Sequence, residues 1–128
     1  MKEITSERSI GNFLKSVCTE RKYKIIKLNP ADHNGIPDRE IYLRNGHKIN
    51  VELKSKGETH RPMQERWGEW LTSNNHMYFC IDRVNDDVKA DLLLLFDILD
   101  VSQNGYVPPQ AYEVLSRLTT VKLKFTYS

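Results

Sequence analysis

A chain of 128 residues with 39% hydrophobic and 28% charged residues suits one globular domain with a sizeable core. No segment approaches the roughly 20 apolar residues needed to span a bilayer. Net charge is only +2, but residues 1–66 hold 14 Lys and Arg against 9 Asp and Glu, and residues 67–128 hold 5 against 8. The N-terminal half is therefore the half suited to a polyanionic partner.

Met1-Lys2-Glu3 has no apolar run behind it, so a signal peptide is not expected and a cytosolic protein is. Ser6 or Thr5 can cap a first helix running to about Arg21. Its core face is Ile10, Phe13, Leu14, Val17 and Cys18, at i, i+3, i+4, i+7 and i+8. Glu7 lies in the first turn, where the helix dipole favours a carboxylate.

Tyr23–Leu28 reads as a strand and Asn29–Gly35 as a loop broken by Pro30 and Gly35. Strands follow at about Asp38–Leu43 and His47–Lys54, then a basic polar loop, Ser55–Arg61. Pro62 opens a helix to about Thr72, whose stripe of Met63, Trp67, Trp70 and Leu71 is expected in the core. Met77–Ile81 is a continuous apolar run, as for a strand buried on both faces.

Asp86–Asp100 reads as a helix with Val88, Leu92, Leu95, Phe96 and Leu99 inward, and Leu93 and Leu94 as surplus apolar surface that hints at a subunit contact. Gln103–Pro109 is a loop and Gln110–Leu118 a short helix. Val121, Leu123, Phe125 and Tyr127 alternate with polar residues as a half-exposed strand. Cys18 and Cys80 sit in apolar patterns and are expected as buried free thiols, while the four histidines show no zinc spacing.

The Arg44-Asn45-Gly46 turn decides the chemistry. A two-residue Asn45-Gly46 loop would pair Arg44 with His47 and mix apolar and charged residues on both sheet faces. A three-residue loop with Gly46 left-handed pairs Leu43 with His47 and Asp38 with Glu52. Ile41, Leu43, Ile49, Val51 and Leu53 then share one face; Asp38, Glu40, Tyr42, Lys48, Asn50, Glu52 and Lys54 share the other. The pattern selects this second register. Opposed Cα atoms lie roughly 4.5–5.5 Å apart, and two carboxylates that close repel unless a cation sits between them. Oxygen ligands of this kind suit Mg²⁺ or Mn²⁺ rather than zinc. Lys54 lies on the same face, beside Glu52.

Gly35-Ile36-Pro37-Asp38, Glu52-Leu53-Lys54 and the later Gln64 resemble the VRR-NUC family, a branch of the PD-(D/E)xK nucleases, over about residues 7–83. The resemblance implies an α/β fold: a central mixed sheet flanked by helices (core about 4–83) with a helix and strand extension (about 84–128) in a single domain. It implies that Asp38, Glu52 and the Leu53 carbonyl bind Mg²⁺ or Mn²⁺, with Glu7 as a further ligand, direct or through water. Lys54 would position the attacking water and meet the charge of the transition state, with Gln64 orienting groups from behind; whether Lys54 is also the base stays open. Products with 5′-phosphate and 3′-hydroxyl ends are implied too.

Lys27, Lys56, Arg61 and Arg66 are the candidate phosphate contacts. No insertion offers a base-reading element, so a sequence-specific restriction enzyme is not expected. Small members of the family act on branched DNA, including four-way junctions, and cutting both strands needs two sites, as in a two-fold dimer. A duplex-nicking or duplex-degrading nuclease of the same fold, and a non-catalytic nucleic-acid-binding module, are the alternatives. No membrane partner or small-molecule cofactor is expected.

Overall fold

A central hairpin organises the molecule, of which the computed structural model describes residues 1–28, 35–121 and 127. Strand β2 (Arg39–Tyr42) pairs antiparallel with β3 (Lys48–Leu53), setting Arg39 against Val51 and Ile41 against Ile49. Leu43 N–H donates to the His47 carbonyl, and Asn45 and Gly46 both take the left-handed conformation, at φ 60° and 75°. This is the three-residue turn, which glycine and asparagine tolerate where other residues do not. The hydrophobic pattern thus chose the observed register: Ile41, Ile49, Val51 and Leu53 are all buried together.

Strand β1 (Lys24–Lys27) adds antiparallel to β2, and β4 (Tyr78–Ile81) adds parallel to β3, giving the mixed order β1-β2-β3-β4. Parallel pairing requires a crossover, and helix α2 (Pro62–Ser73) supplies it. Helix α1 (Glu7–Arg21) packs Ile10, Leu14, Val17 and Cys18 into the core, capped by Ser6, whose hydroxyl accepts from Ser9 N–H. Phe13 packs against that core only partly buried.

Helix α3 (Asp86–Asp100) buries the five residues its pattern indicates, leaving Leu94 exposed and Leu93 half-buried. Helix α4 (Pro109–Leu118) buries Ala111, Val114, Leu115 and Leu118 beside it. The extension therefore completes the core. It also grips the hairpin: Asn45 Nδ2 donates to the carbonyls of Asp100 and Ser102, each at 3.1 Å. Residues 119–121 cover the outer edge of β4, where Thr120 N–H donates to the Cys80 carbonyl. Apart from Val121 and Tyr127, the strand expected over 121–127 lies outside the described residues.

Cys18 and Cys80 are buried and free, and burial pushes both thiols up. Among the described residues no helix is long and apolar enough to cross a membrane.

Helix α2 departs from expectation. Its buried residues are Gln64, Gly68, Leu71 and Thr72. Met63 and Trp67 are half-buried, and Trp70 is 55% exposed, stacked on His76 with ring centroids 5.4 Å apart. The Met63, Trp67 and Trp70 stripe is thus surface rather than core.

Candidate active site

The carboxylates come together because of where two strands end. Continuing the β2–β3 register one residue past Arg39 and Val51 sets Asp38 against Glu52. Asp38 Oδ1 accepts from Leu53 N–H at 3.3 Å, and the Asp38 and Glu52 carboxyl groups lie near enough to act on each other's titration. Glu52 is only 3% exposed. Burial pushes both acids above the usual carboxylate range. For Asp38, Arg39 opposes the rise and the charge of Glu7 adds to it. For Glu52, the charge of Asp38 adds to burial and Lys54 opposes it. Two carboxyl groups that burial and each other's charge make reluctant to ionise are a place where a divalent cation could offset the charge.

Proline contributes a further oxygen. Extended two residues past Arg39 and Val51, the register would bring Pro37 opposite Leu53. Proline has no N–H to donate, so the hairpin ladder cannot satisfy the Leu53 carbonyl. Two carboxylates and a carbonyl, all hard oxygen donors, fit Mg²⁺ or Mn²⁺. Among the described residues no three His, Cys, Asp or Glu side chains converge as a metal site. Glu7, exposed in the first turn of α1, lines the same cleft and acts on Asp38 through its charge. Glu7 therefore stands where its carboxylate is a candidate further ligand, direct or through water.

Lys54 follows one alternation after Glu52, on the same face, and is 8% exposed. Its Nζ donates to Gln64 Oε1 at 2.7 Å. The same oxygen accepts from Arg61 N–H at 2.9 Å, so Gln64, in the first turn of α2, caps its own helix while holding the lysine. What Gln64 has left to offer is its NH₂, a donor suited to a phosphate oxygen.

The position of α2 depends on Gly35. This residue has φ +86°, and a Cβ there would lie 2.5 Å from the Met63 carbonyl carbon. Only glycine lets the first turn of α2 approach the loop before Pro37 so closely.

These residues line a cleft of about 480 Å³, with Lys27 and Arg61 at its wall. Of the four candidate phosphate contacts, those two belong to the cleft. Lys56 instead pairs with Glu3, and Arg66 sits on the exposed Met63–Trp70 surface. The sequence reading missed Arg39, whose guanidinium lies 3.6 Å from Asp38 Oδ1. It also missed Glu58 and Thr59, which line the cleft. Arg39 had a signal: it breaks the apolar alternation that Ile41 and Leu43 continue.

No protein-family model, curated protein or solved structure matches this chain.

Proposed function

We propose that the chain is a metal-dependent endodeoxyribonuclease of the VRR-NUC type. The observation that carries the reading is the opposed Asp38–Glu52 pair with a buried lysine on the same face, at the wall of a cleft bearing Lys27 and Arg61.

Asp38, Glu52 and the Leu53 carbonyl would hold Mg²⁺ or Mn²⁺. Such an ion polarises a phosphoryl oxygen and makes bound water a better nucleophile. Lys54, fixed by Gln64, supplies positive charge where negative charge develops on the phosphate. Its three donors also suit it to aim the attacking water. Glu7 is the further ligand, direct or through water, and Lys27 and Arg61 neutralise flanking phosphates. Branched DNA is the proposed substrate, on the strength of the motif resemblance, and a two-fold dimer would supply the second site that a four-way junction requires.

The test is incubation with labelled four-way junction, flap and linear duplex, in Mg²⁺, Mn²⁺ or EDTA. Cleavage of branched substrates in Mg²⁺ or Mn²⁺, lost in EDTA and in Glu52→Ala and Lys54→Ala, is expected. Cleavage that survives either substitution sinks the mechanism. Preference for linear duplex keeps the chemistry and removes the branch selectivity.

A further inference from the structure

Beside the cleft, and sharing Glu7 and Lys27 with it, runs a second groove of about 670 Å³ between α1 and β1. One wall is the α1 stripe Arg8, Gly11, Asn12 and Lys15, at i, i+3, i+4 and i+7. Lys27 and Arg39, directly paired across β1 and β2, form another part of the wall. The floor between them is Ile25, half-buried on the same face of β1 as Lys27. Four cations thus face one carboxylate, Glu7, and that carboxylate lies at the junction with the cleft.

Arg39 lies 3.6 Å from Asp38 Oδ1, and the other three are open to a ligand. Arg21, Lys48, Lys56, Arg83 and Arg117 each hold a carboxylate. Arg8, Lys15 and Lys27 hold none among the described residues. A Cβ on Gly11 would lie 3.3 Å from Arg39 Nη2 and 3.6 Å from Leu53 Cδ1, so the bare backbone lets the Arg39 guanidinium lie close against α1.

We propose that this groove carries the DNA strand leading away from the scissile phosphate, with Arg8, Lys15 and Lys27 contacting successive phosphates. The inference rests on the nuclease reading and extends it to where the substrate lies. Seven residues of helix separate Arg8 from Lys15, about 10.5 Å of rise. The apolar floor suits the sugar faces between the phosphates. Contacts of this sort supply affinity and position without reading sequence.

The test is fluorescence anisotropy with a labelled 20-mer, single-stranded and duplex, in EDTA and across a salt series, beside cleavage in Mg²⁺ and Mn²⁺. Arg8→Ala/Lys15→Ala is compared with Lys22→Asn/Lys89→Ala, which removes equal charge elsewhere. Loss of two phosphate contacts should weaken binding about tenfold or more at 0.1 M salt and reduce the slope of log K against log salt by about 1.4–1.8. The control pair should stay within about twofold of wild type.

Equal weakening in both double variants overturns the track, as does unaltered binding in Arg8→Ala/Lys15→Ala. If wild type cleaves while that variant binds normally, the site stands and the track falls. If wild type binds through these residues but hydrolyses nothing, the track stands and the nuclease reading falls. Absence of any binding overturns both.

Discussion

The Lys54 ammonium donates to the Gln64 side-chain oxygen at 2.7 Å, and that oxygen also accepts from Arg61 N–H. One amide therefore ties the end of β3 to the first turn of α2. Gln64→Ala removes the helix cap and frees the lysine. Stability should fall by about 0.5–2 kcal/mol. Turnover should fall roughly 10–100-fold, as for residues that orient metal-site groups without touching the metal. Gln64→Glu keeps the acceptor and should recover the stability and part of the rate. Urea melts and single-turnover cleavage read both quantities. Wild-type turnover in Gln64→Ala would show that Lys54 needs no such restraint.

The Asp38–Glu52 pair predicts an unusual pH dependence. Both acids are raised in the fold, by burial first. A raised acid binds its proton more tightly folded than unfolded, so its favourable contribution is present at low pH and lost as pH rises through the folded pKa. In EDTA, the melting temperature of wild type should drop relative to Glu52→Gln between pH 5 and pH 9. Mg²⁺ or Mn²⁺ should reverse the loss in wild type alone, by about 2.7 kcal/mol at a hundredfold excess over Kd. Asp82 behaves oppositely. Burial alone would raise it, but bonds from Arg83, Gly57 and Thr120 hold it down at about 2, so its contribution fades only in strong acid. A metal-free wild type that gains stability over Glu52→Gln as pH rises would refute the pairing argument.

Periodicity was enough for the hairpin, because only one register segregates Ile41, Ile49 and Val51 from Glu52 and Lys54. It was enough for α3, whose five buried residues follow one helical face. It failed on α2, where hydropathy favours Met63, Trp67 and Trp70. The helix instead buries Gln64, satisfied by Lys54, and Thr72, whose hydroxyl donates to the Gly68 carbonyl at 2.9 Å. Gly68, lacking a side chain, lies on the same buried face. A polar residue whose partner is ten positions away in the chain, as Gln64 is from Lys54, looks like surface in any local window. The same blindness applied to Lys56, whose carboxylate partner Glu3 lies at the far N-terminus.

Gly35 should be the least replaceable glycine of the site. Alanine there meets a left-handed φ, which costs roughly 1–2 kcal/mol. It also meets the Met63 backbone at 2.5–2.6 Å, with no flexible side-chain end to move aside. Relief requires α2 to shift, and with it Gln64 and Arg61. Gly35→Ala should therefore lose both stability and turnover, whereas Gly57→Ala, with nothing within 4 Å, should lose stability only through its φ of +90°. Denaturation midpoints and cleavage rates of the two variants separate the effects. Full activity in Gly35→Ala would mean that the close approach of α2 is dispensable.

Asn45 tests whether the C-terminal extension holds the hairpin in register. Its side chain bonds the carbonyls of Asp100 and Ser102, and its own carbonyl accepts from Gly105 N–H at 2.9 Å. Its backbone is left-handed at φ 60°. Asn45→Ala loses both the side-chain bonds and the tolerance for that backbone. Each bond contributes about 0.5–1.5 kcal/mol, and the left-handed conformation costs alanine roughly 1–2 kcal/mol. Asn45→Gly restores the backbone tolerance and loses only the bonds, so it should fall between wild type and Asn45→Ala. Because the hairpin sets Asp38 against Glu52, a loosened turn should also weaken Mn²⁺ binding at a site some five residues along each strand. Titration calorimetry of the two variants checks this. Unaltered affinity in Asn45→Ala would mean that the strand ladder alone holds the carboxylates in place.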